Sequence, residues 1–159
     1  MFNKYIMTSI IGTKIIASLT GVVGTEIITT ITTKSIKSTI TNISTLLMYS
    51  SIPEIQNIKN ELEKIDIQNK LEIMHSLIKE LNETKLKEFH KIAIKSLDKL
   101  IKEIDQEIIN LNKNISYHKT KYFNSWRSIN VTNIEIIKNK NILLNKKFDD
   151  LINLLTVKL

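Results

Sequence analysis

The chain contains no cysteine, a single proline, three glycines and a single arginine among its 159 residues. Without cysteine there are no disulfides and no thiolate metal ligands, and the redox compartment leaves no mark. So little glycine and proline, beside 42% apolar residues, supplies few turns for a sheet protein and fits long helices joined by short connections. The length is that of one domain, large enough to bury a core. The Gly-rich loops that cradle phosphates are missing: Gly21-Val-Val-Gly24 has the bare spacing of such a clamp without the neighbouring strands. No Ser has a recognisable activating context. The three histidines, His75, His90 and His118, are scattered. Glu72-Ile-Met-His75 has the spacing of one half of a carboxylate-bridged di-metal site, but no second such motif accompanies it. The expectation is a protein that is not an enzyme, holds no metal or other cofactor and has no evident small-molecule substrate.

What is abundant is Ile, Lys and Asn, as an AT-rich coding sequence would give, so raw basicity says little about partners. Its distribution says more. Residues 113–147 hold eight basic side chains against one acid, Glu135, which equals the formal charge of +7 for the whole chain. Four of the nine aromatics, Tyr117, Tyr122, Phe123 and Trp126, fall within ten residues of the same stretch. Cations that neutralise phosphates, interleaved with rings that stack or settle at a headgroup interface, suit an anionic partner. The candidate residues are Lys113, Lys119, Lys121, Tyr122, Trp126, Arg127, Lys138, Lys140, Lys146 and Lys147. Tyr122 and Trp126 also continue an apolar helical stripe, so packing at the end of a core is the competing reading.

Residues 1–50 are of another material, rich in Ile, Thr and Ser and holding every glycine. Small residues recur every fourth position at Ser9, Thr13, Ala17, Gly21, Thr25, Thr29 and Thr33. On a helix this makes a narrow ridge that another backbone can approach closely. An apolar stripe follows at Ile36, Ile40, Ile43 and Leu47. The 19 residues between Lys14 and Lys34 have the length of a membrane span. Glu26 lies inside that window and costs roughly 2.5–3.5 kcal/mol if placed centrally, which the Ile, Val and Leu of the window only offset, and the Thr content tips the sum against insertion. A helix lying at a membrane surface, or packed on a partner or on its own core, is the expectation. No secretory signal stands out, so the chain is expected in the cytoplasm or peripheral on a membrane rather than secreted.

From Ser51 to Glu54 a capping-box pattern with Pro53 in the first turn opens an amphipathic helix on Ile55, Ile58, Leu62 and Ile65. Asp66 is placed to cap a further helix on Ile67, Leu71, Met74 and Ile78, although the two helices could be one. From about Lys85 a stripe runs without interruption through Leu86, Phe89, Ala93, Leu97, Leu100, Ile104, Ile108, Leu111 and Ile115. Thr132 to Glu135 opens the last helix, with an inner face of Ile134, Ile137, Leu144, Phe148, Leu151 and Leu155. These elements predict an all-α, elongated bundle: a Thr/Gly-rich N-terminal helical segment (1–50), then a helical body (51–159) with a long antiparallel hairpin over 85–157. The run HKTKYFNSWR, followed by ILLNKKFDDLINLL, resembles uncharacterised helical proteins of giant DNA viruses over the last third of the chain. The AT-rich composition is compatible with that origin, and the resemblance implies no activity and no residue roles. The functional expectation is helical interaction or scaffolding, with contact to a membrane surface, a protein partner or a second copy through residues 6–47. The alternative is nucleic-acid binding by the basic stretch 113–147.

Overall fold

A computed structural model of the chain describes residues 28–48, 53–81, 86–119 and 132–156. All of its regular structure among these is helical: α1 (28–47), α2 (Pro53–Lys64), α3 (Ile67–Glu80), α4 (Glu88–Lys119) and α5 (Thr132–Thr156). Together they form an all-α bundle around one apolar core. At 1.5 Å per residue α4 is about 48 Å long.

The buried positions explain why these segments are helices that must pack together. On α4 the innermost line is Ile94, Leu97, Ile101, Ile104, Ile108, Leu111 and Ile115, alternating steps of three and four, with Leu100 buried beside it. On α5 Ile134, Ile137, Asn141, Leu144 and Leu151 are buried, with Phe148 and Leu155 packed partly against the core. Such alternation keeps one narrow stripe on one side of each helix and lets neighbouring helices lie nearly alongside. The stripe expected on α3 is buried throughout. On α4, Ile94 and Ile101 join the core where the sequence pattern had favoured Phe89 and Ala93, which are only partly buried. On α1 the buried line is Thr29, Thr32, Ile36, Thr39, Ile43 and Leu46, with Ile40 and Leu47 at its edge. Three of those six positions are threonine, which a hydrophobicity count passes over.

Polar contacts across the helix seams fix the order and direction of the rods. Ser38 Oγ and Asn42 Nδ2 donate to the two oxygens of Asp105, at 3.1 and 2.8 Å, and Asn112 Nδ2 donates to the Asn42 carbonyl at 2.9 Å. Position numbers rise together on the two sides, so α1 runs parallel to α4. On the other flank of α4, Asn133 meets Glu107 (2.8 Å), Lys140 meets Glu103 (2.7 Å) and Lys147 meets Ser96. The numbers now run in opposite senses, and α4 and α5 form the long antiparallel hairpin. Lys138 reaches Glu61 at 2.5 Å and Asn141 Nδ2 reaches the Ile65 carbonyl at 3.3 Å, which places α2 parallel to α5. Ile43 and Leu47 share a cleft of ≈ 250 Å³ with Leu62 and Ile67, so α1 also lies against the α2–α3 junction.

That junction is a true break. Asp66 sits in the left-handed region at φ 51°, ψ 35°, and its side chain makes no cap bond. The expected N-cap is thus present in position but not in chemistry: the carboxylate accepts instead from Asn69 Nδ2 at 3.1 Å. The turn releases the Ile65 carbonyl, which Lys70 Nζ (2.9 Å) and the buried Asn141 both claim. Buried carbonyls need partners, so an Asn in the core of α5 answers a break in a different helix.

His90 closes the far end of the hairpin. The Lys87 backbone N–H donates to its Nδ1, and its Nε2 donates to the Leu154 carbonyl, both at 3.2 Å. One ring therefore satisfies a donor at the start of α4 and an acceptor in the last turn of α5. Replacing it leaves both groups without that partner, so His90→Ala is expected to lower stability by about 1–2 kcal/mol in urea unfolding of the full chain. Asp66→Gly is expected to raise stability by about 0.5–1 kcal/mol in the same measurement, because glycine takes the left-handed backbone without the Cβ penalty.

Candidate binding surfaces

The basic residues singled out by sequence do not form one site among the described residues. Lys113 is exposed on α4, and Lys146 is exposed on α5. Lys138 is shared between Glu61 (2.5 Å) and Glu135 (2.9 Å), Lys140 is held by Glu103 and Lys147 by Ser96. Each of these three pins α5 to a neighbouring helix. The α4 helix includes Lys119 but its side chain is not described. Lys121, Tyr122, Trp126 and Arg127 lie outside the described residues, as do Ser9, Thr13, Ala17, Gly21 and Thr25 of the small-residue ridge. Of that ridge's continuation, Thr29 is fully buried and Thr33 half-buried.

Charge in the seams is electrostatically committed. The hydrogen bonds from Lys138 and Lys64, reinforced by their charges, hold the Glu61 carboxyl down to about 2 from its ordinary 4.5. The same pairing raises Lys138, and Lys140 lowers Glu103 through its hydrogen bond. His75 is lowered, first by burial and then by the nearby Lys37 and Lys79 cations. Its motif partner Glu72 accepts from Gln68 on the same helix. Among the described residues no three His, Asp or Glu side chains converge as metal ligands.

α1 carries a feature that the sequence did not announce. Thr32, Thr33, Ser35, Thr39, Thr41, Ser44 and Thr45 each donate their hydroxyl to the carbonyl four residues back, at 2.9–3.1 Å. A hydroxyl folded onto its own helix needs no outside partner, which is why Thr32 and Thr39 can sit at 1% and 0% exposure in an apolar seam. No described helix is long and apolar enough to cross a membrane.

The open clefts are shallow and lie along the seams. One of ≈ 400 Å³ runs between α1 and α4, lined by Ile31, Lys34, Ser35, Ser38, Lys102 and Asp105; one of ≈ 330 Å³ lies over the Glu61–Lys138 pair. Sequence reasoning missed Asp105, Asn42, Asn112 and Asn141. A signal for some of them exists in their spacing: Asp98, Asp105 and Asn112 are seven apart beside the core stripe, as are Asn133, Lys140 and Lys147 on α5. The fold and these surfaces define an all-α helical bundle whose seams are joined by charged and amide side chains. No protein-family model, curated protein or solved structure matches the chain.

Because Glu61 is depressed in the folded state, its contribution is complete above pH 4.5 and is lost as pH falls toward 2. Acid titration of unfolding is therefore expected to show stability falling across that window. Glu61→Gln should be less stable than the parent at neutral pH and should show a shallower decline on acidification.

Proposed function

We propose that the chain is a non-enzymatic helical interaction or scaffolding protein that attaches to a membrane surface or protein assembly through its N-terminal segment. The observation that supports this reading is the hydroxyl ladder of α1. Seven Ser and Thr side chains answer their own helix, so a Thr-rich surface can meet an apolar partner without stranding donors. The buried Thr32 and Thr39 do so against the protein's own core. The outward members of the ladder offer the same chemistry to a partner, and Ile31 and Met48, at 43% and 81% exposure, stand beside them. The nucleic-acid reading of residues 113–147 has less support, since Lys138, Lys140 and Lys147 are engaged within the bundle.

Removing the first fifty residues would take Ile36, Ile43 and Leu46 out of the core, so a shorter truncation is the sound test. The full chain and a chain beginning at residue 26 are compared in flotation with phosphatidylcholine vesicles at low and high salt. Salt-resistant flotation of the full chain is the expected result; its retention by the shorter chain places the contact on the α1 hydroxyl ladder, and its loss places the contact before residue 26. No flotation of the full chain at either salt would remove the membrane half of the proposal and leave protein partners, read by oligomeric state in sedimentation.

A further inference from the structure

Charge that cancels along the sequence is separated in space. Every exposed residue of α4 between 92 and 117 is one of Ile92, Lys95, Lys99, Lys102, Gln106, Lys113, Ser116 and Tyr117. Four are lysine and none is acidic. The carboxylates of the same stretch have turned into the flanks: Asp105 accepts from Ser38 and Asn42 of α1, while Glu103 and Glu107 accept from Lys140 and Asn133 of α5. Asp98 holds Lys102 at 2.7 Å, but no described carboxylate lies within ion-pair distance of Lys95, Lys99 or Lys113. The neighbouring α1, parallel to α4, adds exposed Lys34 at the cleft between the two helices and again no exposed acid, while its other exposed lysine, Lys37, lies toward His75 of α3. The other three helices are the reverse. With the α2–α3 turn they expose seven carboxylates, among them Glu72, Glu80, Asp149 and Asp150, against three lysines. The described bundle thus has a basic face on α1 and α4, while the exposed charge of the other helices is mostly acidic.

We infer that the α1–α4 face docks on an anionic lipid headgroup surface. This rests on the membrane-surface reading above and assigns it a second, electrostatic contact on different residues. Two parallel helices make a broad, shallow face, and the exposed stretch of α4 is about 38 Å long, which suits a plane of negative charge better than a groove. Ile92 and Tyr117, 60% and 54% exposed, stand at the two ends of the lysine line. An interfacial anchor of that kind gains from entering the headgroup layer, whereas a phosphate backbone offers isoleucine nothing. Lysine stems can also lie along the surface while their ammonium groups reach the headgroups.

The test uses the full chain and two double variants of equal net charge. Lys95→Glu with Lys99→Glu reverses the basic face. Lys79→Glu with Lys146→Glu makes the same change on the opposite side. Binding is measured to phosphatidylcholine vesicles with and without phosphatidylserine at low salt, after circular dichroism has shown equal helicity. The first variant is expected to lose about tenfold or more of the binding that phosphatidylserine confers, and the second less than about twofold. Equal losses would mean that net charge alone acts, and unchanged binding that the face is idle; either overturns the inference. Duplex DNA that binds more tightly than the anionic vesicles, and loses affinity only with the first variant, would reassign the face to nucleic acid. Failure of salt-resistant binding to the neutral vesicles counts against the N-terminal contact alone, and the difference between the two variants still decides this one.

Discussion

The stripe of apolar side chains on α4, from Ile94 to Ile115, is the constraint on which the rest of the bundle depends. Once it faces inward, the positions beside it become seams and those opposite it become solvent-facing surface. Asp105 and Asn112 fall in the seam with α1, and Ser96, Glu103 and Glu107 in the seam with α5. Along its middle the helix thereby sorts its own charges by position: Glu103, Asp105 and Glu107 clasp the neighbours, and Lys95, Lys99, Lys102 and Lys113 are left outside. The apolar stripe provides the bulk of the driving force for packing, being non-directional, while the seam contacts decide which helix lies where and in which direction.

The fold was largely legible because helical periodicity is strong in every described segment. On α3 the apolar residues alone mark the buried line, and on α5 they miss only Asn141. They fail on α1, where half of the line is threonine. There the physics that matters is local, a hydroxyl returning to the carbonyl four residues back, and hydropathy does not register it. The exchange of Phe89 and Ala93 for Ile94 and Ile101 on α4 is a matter of phase: steps of four drift off the stripe that alternating steps of three and four maintain.

The surfaces were less legible. The concentration of basic residues from Lys113 to Lys147 is real in the sequence, but linear clustering is not clustering in space. Lys138, Lys140 and Lys147 point into seams because α5 is amphipathic, and their partners, Glu61, Glu103 and Ser96, come from two other helices. The lysines of α4 look neutralised when counted with Asp98, Glu103, Asp105 and Glu107. Only the burial pattern separates them. Asn141 was hidden for a related reason, since its partner is a carbonyl freed by a turn 76 residues earlier.

The break at Ile65 and Asp66 reads differently once the buried positions on its two sides are set end to end. Before it they are 55, 58 and 62; after it, 67, 71, 74, 78 and 81. Excise two residues at the joint and the steps become an unbroken alternation of three and four. In that arithmetic α2 and α3 are one rod into which two surplus residues have been spliced. The bundle has looped the surplus out as a left-handed turn and let each half keep its face to the core.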